Sequence, residues 1–188
     1  MEKTTYVYTD GSVLNNTRRN SKTTFGGIGV FFGDNDPRNI SEPFFEFPIT
    51  NIRTEIKAPT KAIEKFMEYK ISKKDDTKEK LVIYTDSEFL INAITKWIKV
   101  WKLNGWKTAN KKDVKNKDLI YALDHKLNLV KDFIDVEFRH VKAHRDIKTI
   151  NPDKTSIEYK EWYGNMMADK LATDGSAIAK KAMEKKSE

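Results

Sequence analysis

The chain has 188 residues, no cysteine and a net charge of +7, with 38% hydrophobic and 11% aromatic residues. That size and composition describe one globular domain and exclude a disordered segment, a disulfide scaffold and any zinc site built on thiolates. No stretch approaches the ~20 apolar residues of a membrane span, and the first ten residues hold no apolar signal core, so a soluble intracellular protein with no membrane contact is expected.

Residues 4–9 alternate and are rich in Tyr, Val and Thr, the pattern of a first strand. Residues 25–32 form a second, with Gly26, Gly27 and Gly29 at points where a backbone or ligand can come close. Residues 44–47 form a third, and Pro43 at its start suits an edge. Over residues 54–69, Ile56, Ile63, Phe66 and Met67 recur at helical spacing. The continuous apolar run at 81–85 is typical of a buried parallel strand. Ser87 caps a helix to about residue 94, and 97–103 form another, ended by Asn104-Gly105. Residues 105–116 are a basic loop, 117–129 a helix, 134–140 the last strand and 165–183 the last helix, before a tail at 181–188. Three strands able to pair as an antiparallel meander, then strands that return through helices, define an α/β domain with a mixed five-stranded sheet.

The excess charge is focused. Lys96, Lys99, Lys102, Lys107, Lys111, Lys112, Lys115 and Lys117 face a single acid, Asp113, and the rest of the chain is balanced. A patch of this kind is the footprint of a phosphate backbone, although charge alone fits a solubilising surface equally well.

Two predicted strands end alike, in Tyr8-Thr9-Asp10-Gly11-Ser12 and Tyr84-Thr85-Asp86-Ser87. In open α/β sheets ligands sit outside the carboxyl ends of strands, so parallel neighbours would bring Asp10 and Asp86 to one crevice. Carboxylates that close repel unless a cation neutralises them, and oxygen-only donors suit Mg²⁺ or Mn²⁺. Either aspartate alone also reads as a turn residue or helix cap.

Those two motifs belong to a longer series: Thr50-Asn51-Ile52-Arg53-Thr54-Glu55, Trp101-Lys102-Leu103-Asn104-Gly105-Trp106-Lys107-Thr108, His140-Val141-Lys142-Ala143-His144, and Gly164-Asn165-Met166-Met167-Ala168-Asp169-Lys170-Leu171-Ala172. In this order over nearly the whole chain, they resemble the type 1 ribonuclease H family. The resemblance implies a ribonuclease H-like fold and an endonuclease that cuts the RNA strand of RNA–DNA hybrids, leaving 5′-phosphate and 3′-hydroxyl ends. It implies one catalytic domain over 1–180, with a basic protrusion at about 96–117. Asp10, Glu55, Asp86 and Asp169 match the family's metal-binding carboxylates, which hold two Mg²⁺ ions with substrate bound, Mn²⁺ substituting. His144 matches a loop histidine that assists proton transfer or product departure, whereas His140, at the end of a strand, is expected to pack or hydrogen-bond structurally and His125 to lie on a helix surface.

The same resemblance implies that Gly11, Ser12, Asn16, Asn51 and Asn165 contact the hybrid near the metals. Thr50 and Asn116 would hold a DNA-strand phosphate, Trp97 would pack on a deoxyribose, and Lys107, Thr108, Lys111 and Lys112 would meet the backbone. Trp101 and Trp106 are expected to hold the protrusion together. The protein is expected to be a monomer, and with no hybrid-binding module ahead of the first strand no processivity from that source is expected.

Four features depart from the family pattern. Ile52 replaces a polar residue, and Pro48 stands where some relatives have Arg. Pro59 follows Glu55 by four residues, so the helix either begins near Ala58 or is distorted beside a metal ligand. Residues 145–163 replace a short loop, as a functional rim or as a tolerated insertion. A non-catalytic duplex-binding module, a nuclease domain of a polymerase polyprotein and a resolvase-like enzyme of the same fold are the competing readings.

Overall fold

The computed structural model describes residues 3–16 and 23–185. Five strands form one sheet in the order β3-β2-β1-β4-β5. They are β1 (Thr4–Asn16), β2 (Thr23–Phe31), β3 (Ile40–Phe44), β4 (Glu79–Thr85) and β5 (Ile134–His140). β1, β2 and β3 pair antiparallel, while β4 and β5 join β1 in parallel, which is the mixed sheet the sequence predicts.

The sheet alternates its side chains between two layers. Val7, Ile28, Val30, Leu81 and Ile83 face the larger core, with Ile56, Ile63 and Phe66 of α1 (Asn51–Ser72) and Ile120 and Leu123 of α4 (Lys117–Val130). Tyr8, Phe31, Val82 and Tyr84 face the other side, where Ala168 of α5 (Ile157–Glu184) packs on them. On that side α5 lies almost directly on strand backbone. A Cβ on Gly27 would stand 2.1 Å from the Ala172 carbonyl oxygen, and one on Gly29 2.0 Å from that of Ala168. The close approach expected at these glycines is therefore made by a helix.

Several boundaries differ from expectation. β1 does not stop at Thr9, because β2 continues to pair with it as far as Asn16↔Thr23. β3 lies earlier than 44–47: Ile40 and Phe44 are buried, whereas Phe45 and Phe47 are exposed. Pro43 sits inside this strand, and β3 is at the sheet edge, as proline requires.

α1 starts at Asn51, with Thr50 as its cap, and continues through Pro59. A start near Ala58 is thereby excluded. Because Pro59 has no N–H, the Glu55 carbonyl lacks the donor that residue i+4 normally supplies.

Ser87 caps α2 (Glu88–Asn92), and a π-helical turn over Ala93–Trp97 leads into α3 (Ile98–Leu103). α5 begins at Ile157, eight residues before the expected start, because Ser156 accepts from Tyr159 N and the aromatic residues 159, 162 and 163 share one helical face. It runs to Glu184, so part of the expected tail is helix; residues 186–188 lie outside the described residues. Among the described residues no helix is long and apolar enough to cross a membrane.

Candidate active site

The β1–β4 ladder ends at Tyr8↔Tyr84, and Asp10 and Asp86 each follow two residues later, so both acids stand at the same level beyond the parallel pairing. Asp86 is the first residue past β4. Asp10, although in mid-strand, reaches the same opening because β4 has ended beside it.

Glu55 arrives from α1. A Cβ on Gly11 would lie 2.3 Å from Thr54 Oγ1 and 2.4 Å from Glu55 N, so only glycine there lets the first turn of α1 touch β1. Asn51 Nδ2 donates to Glu55 Oε1 at 2.6 Å, and Ser87 Oγ donates to Glu55 Oε2 at 2.7 Å. One carboxylate oxygen from each of Asp10, Glu55 and Asp86 lies within 4.8 Å of the others.

Asp169 is placed by the glycine contact. Asp10 pairs with Gly29, Gly29 lies under Ala168, and Asp169 is the next residue of α5. It falls outside the group of three but is close enough to raise the pKa of both Asp10 and Asp86.

Burial, followed by the charge of Asp86, pushes Asp10 up to about 8, against a 2.7 Å hydrogen bond from Gly11 N that favours the ionised form. Burial also raises Glu55, opposed by the Ser87 hydrogen bond, and raises Asp86, opposed by His144. A cluster of hard oxygen donors that resists its own negative charge fits a divalent cation.

His144 is exposed, with a left-handed backbone (φ 48°). It lines a cavity of about 170 Å³ together with Asn165, which is buried, and Asp169. Its loop is tied to α5. The Arg145 guanidinium pairs with Glu158, Asn151 N donates to Glu158 Oε2 at 3.2 Å, and Trp162 Nε1 donates to the Arg145 carbonyl at 3.0 Å. His140 is exposed rather than packed, because β5 ends there at the sheet's rim, and it too favours the charged form of Asp86. His125 lies on the surface of α4, stacked on Tyr121.

The basic segment stands on a ladder of aromatic rings. Trp97 touches Phe89 and Trp101, Trp101 stacks on Trp106, and Trp106 meets Tyr121. Trp101 and Trp106 thus hold the protrusion together, while Trp97 is 39% exposed. Thr108 organises the tip, accepting from Lys112 N through its hydroxyl and from Lys111 N through its carbonyl. Lys107 is paired with Asp113 at 2.6 Å, whereas Lys111 and Lys112 are exposed cations of the tip.

Sequence reading missed Arg53. It is buried, bidentate to Asp118 at 2.8 and 2.6 Å, and 3.5 Å from Asn116 Oδ1, while its N–H donates to Thr50 Oγ1. It therefore links Thr50 to Asn116, which begins α4 in a left-handed conformation. Nothing local signals this link, because Asp118 is 65 residues away. Gly11 is buried under α1, and the half-buried Ser12 accepts from Ser176 Oγ through its carbonyl. The Asn16 side chain lies outside the described residues.

The sheet order and the acid cluster define a protein of the ribonuclease H-like class, with a centre compatible with a divalent cation. The RNase H family model matches residues 2–177, and the chain belongs to that family. Ribonuclease H1 of Homo sapiens is 37% identical over 172 residues, covering 90% of this chain and 49% of that protein. Ribonuclease HI of Haemophilus ducreyi is 36% identical over 143 residues, covering 76% of this chain and 80% of that protein. The solution structure of the PFV RNase H domain superposes with a TM-score of 0.67 at 26% identity, covering 95% of this chain and 97% of that one. The chain spans about half the length of the mammalian relatives it matches.

Proposed function

We propose that the chain is an endonuclease that hydrolyses the RNA strand of RNA–DNA hybrids, leaving 5′-phosphate and 3′-hydroxyl ends. The observation that carries this reading is the convergence of Asp10, Glu55 and Asp86 within 4.8 Å, with Asp169 beside them, in a member of the RNase H family. A pure binding module has no use for four acids held together against their own repulsion.

Asp10, Glu55, Asp86 and Asp169 would hold two Mg²⁺ ions, or Mn²⁺ in their place, which supply Lewis acidity and charge neutralisation at the scissile phosphate. The protein's share is positioning. Gly11 admits α1, Asn51 and Ser87 fix both oxygens of Glu55, and the α5 contact sets Asp169. His144, at the rim beside Asp169, serves to move a proton or to help product depart. Asn16, Asn51, Ser12 and Asn165 are assigned to the groove that displays the RNA 2′-hydroxyls.

Thr50 and Asn116, joined by Arg53, form the DNA-phosphate contact, with the Arg53 guanidinium itself held by Asp118. Trp97 packs on a sugar, and Lys111 and Lys112 supply most of the non-specific affinity, with Lys107 and Thr108 shaping the tip. The protein acts as a monomer.

The test offers labelled hybrid, double-stranded RNA, single-stranded RNA and duplex DNA in Mg²⁺. Only the hybrid should be cut; hybrid binding without cleavage in either Mg²⁺ or Mn²⁺ would sink the proposal.

A further inference from the structure

Five of the chain's seven tyrosines line one groove: Tyr6, Tyr8, Tyr84, Tyr159 and Tyr163. The groove lies where α5, resting chiefly on β1, β2 and β3, barely reaches β4, while its first turns overhang the gap. It encloses about 630 Å³, the size of a small-molecule site (~300–1,000 Å³). None of its lining residues belongs to the carboxylate cluster or to the His144 cavity. The backbone of α5 separates them, crossing the Tyr8 ring so closely that a Cβ on Gly164 would stand 2.3 Å from Cε2.

Aromatic rings line both walls, of which Tyr8 and Tyr84 are buried and Tyr6 is the exposed one on the sheet. On the sheet, Tyr8 stacks on Tyr84 with ring centroids 4.9 Å apart, and Tyr6, half exposed, lies 6.3 Å from Tyr84. On the helix, Tyr159 stacks on Tyr163. At the mouth stand Lys154 and Lys160, the latter near Asp153, and Arg139 is shared between Glu137 and the Tyr84 hydroxyl. Of the two acids in the lining, Asp34 accepts the Tyr163 hydroxyl and Glu161 remains.

We propose that this groove binds unpaired nucleotides of a single-stranded nucleic acid, with bases stacked on the tyrosines and phosphates turned toward Lys154 and Lys160. Aromatic faces accept any base, and cations beside them follow the backbone. A protein segment could offer rings but not an anion at every step of its backbone, and a duplex has already used its base faces. The proposal goes beyond hybrid cleavage and does not depend on it.

The experiment measures binding of a fluorescein-labelled oligouridylate, about eight nucleotides long, by anisotropy in EDTA, where nothing is cut. Replacing both Tyr6→Ser and Tyr159→Ser should weaken binding about tenfold or more, since each stacked base contributes that much. Tyr6→Phe with Tyr159→Phe should keep it, because the ring faces remain. Hybrid cleavage in Mg²⁺, read separately, should be unchanged in the serine and phenylalanine variants of Tyr6 and Tyr159 and doubles as the test of folding. In the wild-type protein the ring resonances of Tyr6 and Tyr159 should shift as oligouridylate is added. Unchanged affinity in the serine variant overturns the proposal, as does an equal loss on Lys111→Ala with Lys112→Ala. Tyrosine resonances that stay fixed with the oligonucleotide but move with a phenylalanine-containing peptide assign the groove to a protein partner and also overturn it.

Discussion

Ser87 Oγ donates to Glu55 Oε2 at 2.7 Å and accepts from Leu90 N at 3.4 Å, so one hydroxyl both caps α2 and braces an acid of the cluster. Ser87→Ala removes both contacts. Loss of the cap should cost about 1 kcal/mol of stability, read as a lower urea midpoint. Loss of the brace should weaken divalent-ion binding by calorimetry and lower kcat. Thr at this position should restore much of each.

Asp10 titrates at about 8, above its ordinary 3.8, because it is buried among other acids. A raised carboxyl pKa means the fold is favoured while the group stays protonated. That contribution is whole below about pH 4 and is lost as pH climbs toward about 8. In EDTA at about pH 9, Asp10→Asn should therefore melt at a higher temperature than the parent, and near pH 4 the two should coincide. Adding Mg²⁺ should raise the parent's melting temperature more than the variant's. The same variant should lose Mg²⁺-dependent cleavage and keep hybrid binding at low salt. Near-normal turnover would remove Asp10 from the chemistry.

The pairing of Arg145 with Glu158, reinforced by Trp162, anchors the loop that carries His144. Glu158→Ala should free this loop while leaving the acid cluster in place. Steady-state cleavage should then show a fall in kcat with KM little changed, and Mg²⁺ affinity should be that of the wild type. A rise in KM alone would mean that residues 145–156 touch substrate rather than position His144.

Lys107 is already neutralised by Asp113, whereas Lys111 and Lys112 have no ion-pair partner among the described residues. Removing a phosphate contact should lower the slope of log affinity against log salt by about 0.9 for a B-form duplex. Lys111→Ala and Lys112→Ala should each approach that and raise KM more than they lower kcat. Lys107→Ala should do less. An unchanged slope in all three would place the protrusion away from the hybrid.

What is legible in the sequence follows physical range. Period-two alternation and the recurring strand-end aspartates point to the mixed sheet and to Asp10 and Asp86, because both signals are local. Glu55 and Asp169 stand out only as parts of family motifs, since an acid near the expected start of a helix is common for its own sake, although α5 in fact begins twelve residues before Asp169. The aromatic run at 44–47 reads as a strand, yet Phe45 and Phe47 point to solvent and the pairing ends at Phe44. The π-helical turn at Ala93–Trp97 leaves no trace, since its single extra residue per turn barely disturbs helical spacing. The early start of α5 falls within residues 145–163, which the family pattern marks only as an enlarged loop. Arg53–Asp118 and Ser87–Glu55 are out of reach, since partners 65 and 32 residues apart share no pattern.

Where α5 meets Gly27 and Gly29, the atoms in contact are main-chain ones. Main-chain atoms have no rotamers, so the gap between the helix carrying Asp169 and the strand paired with Asp10 is a fixed gauge. Side chains elsewhere in the interior can swell or shrink over evolutionary time while neighbours adjust, and the fourth acid keeps its station. A single methyl group at either glycine has nowhere to go except into the helix, and would shift that acid outward.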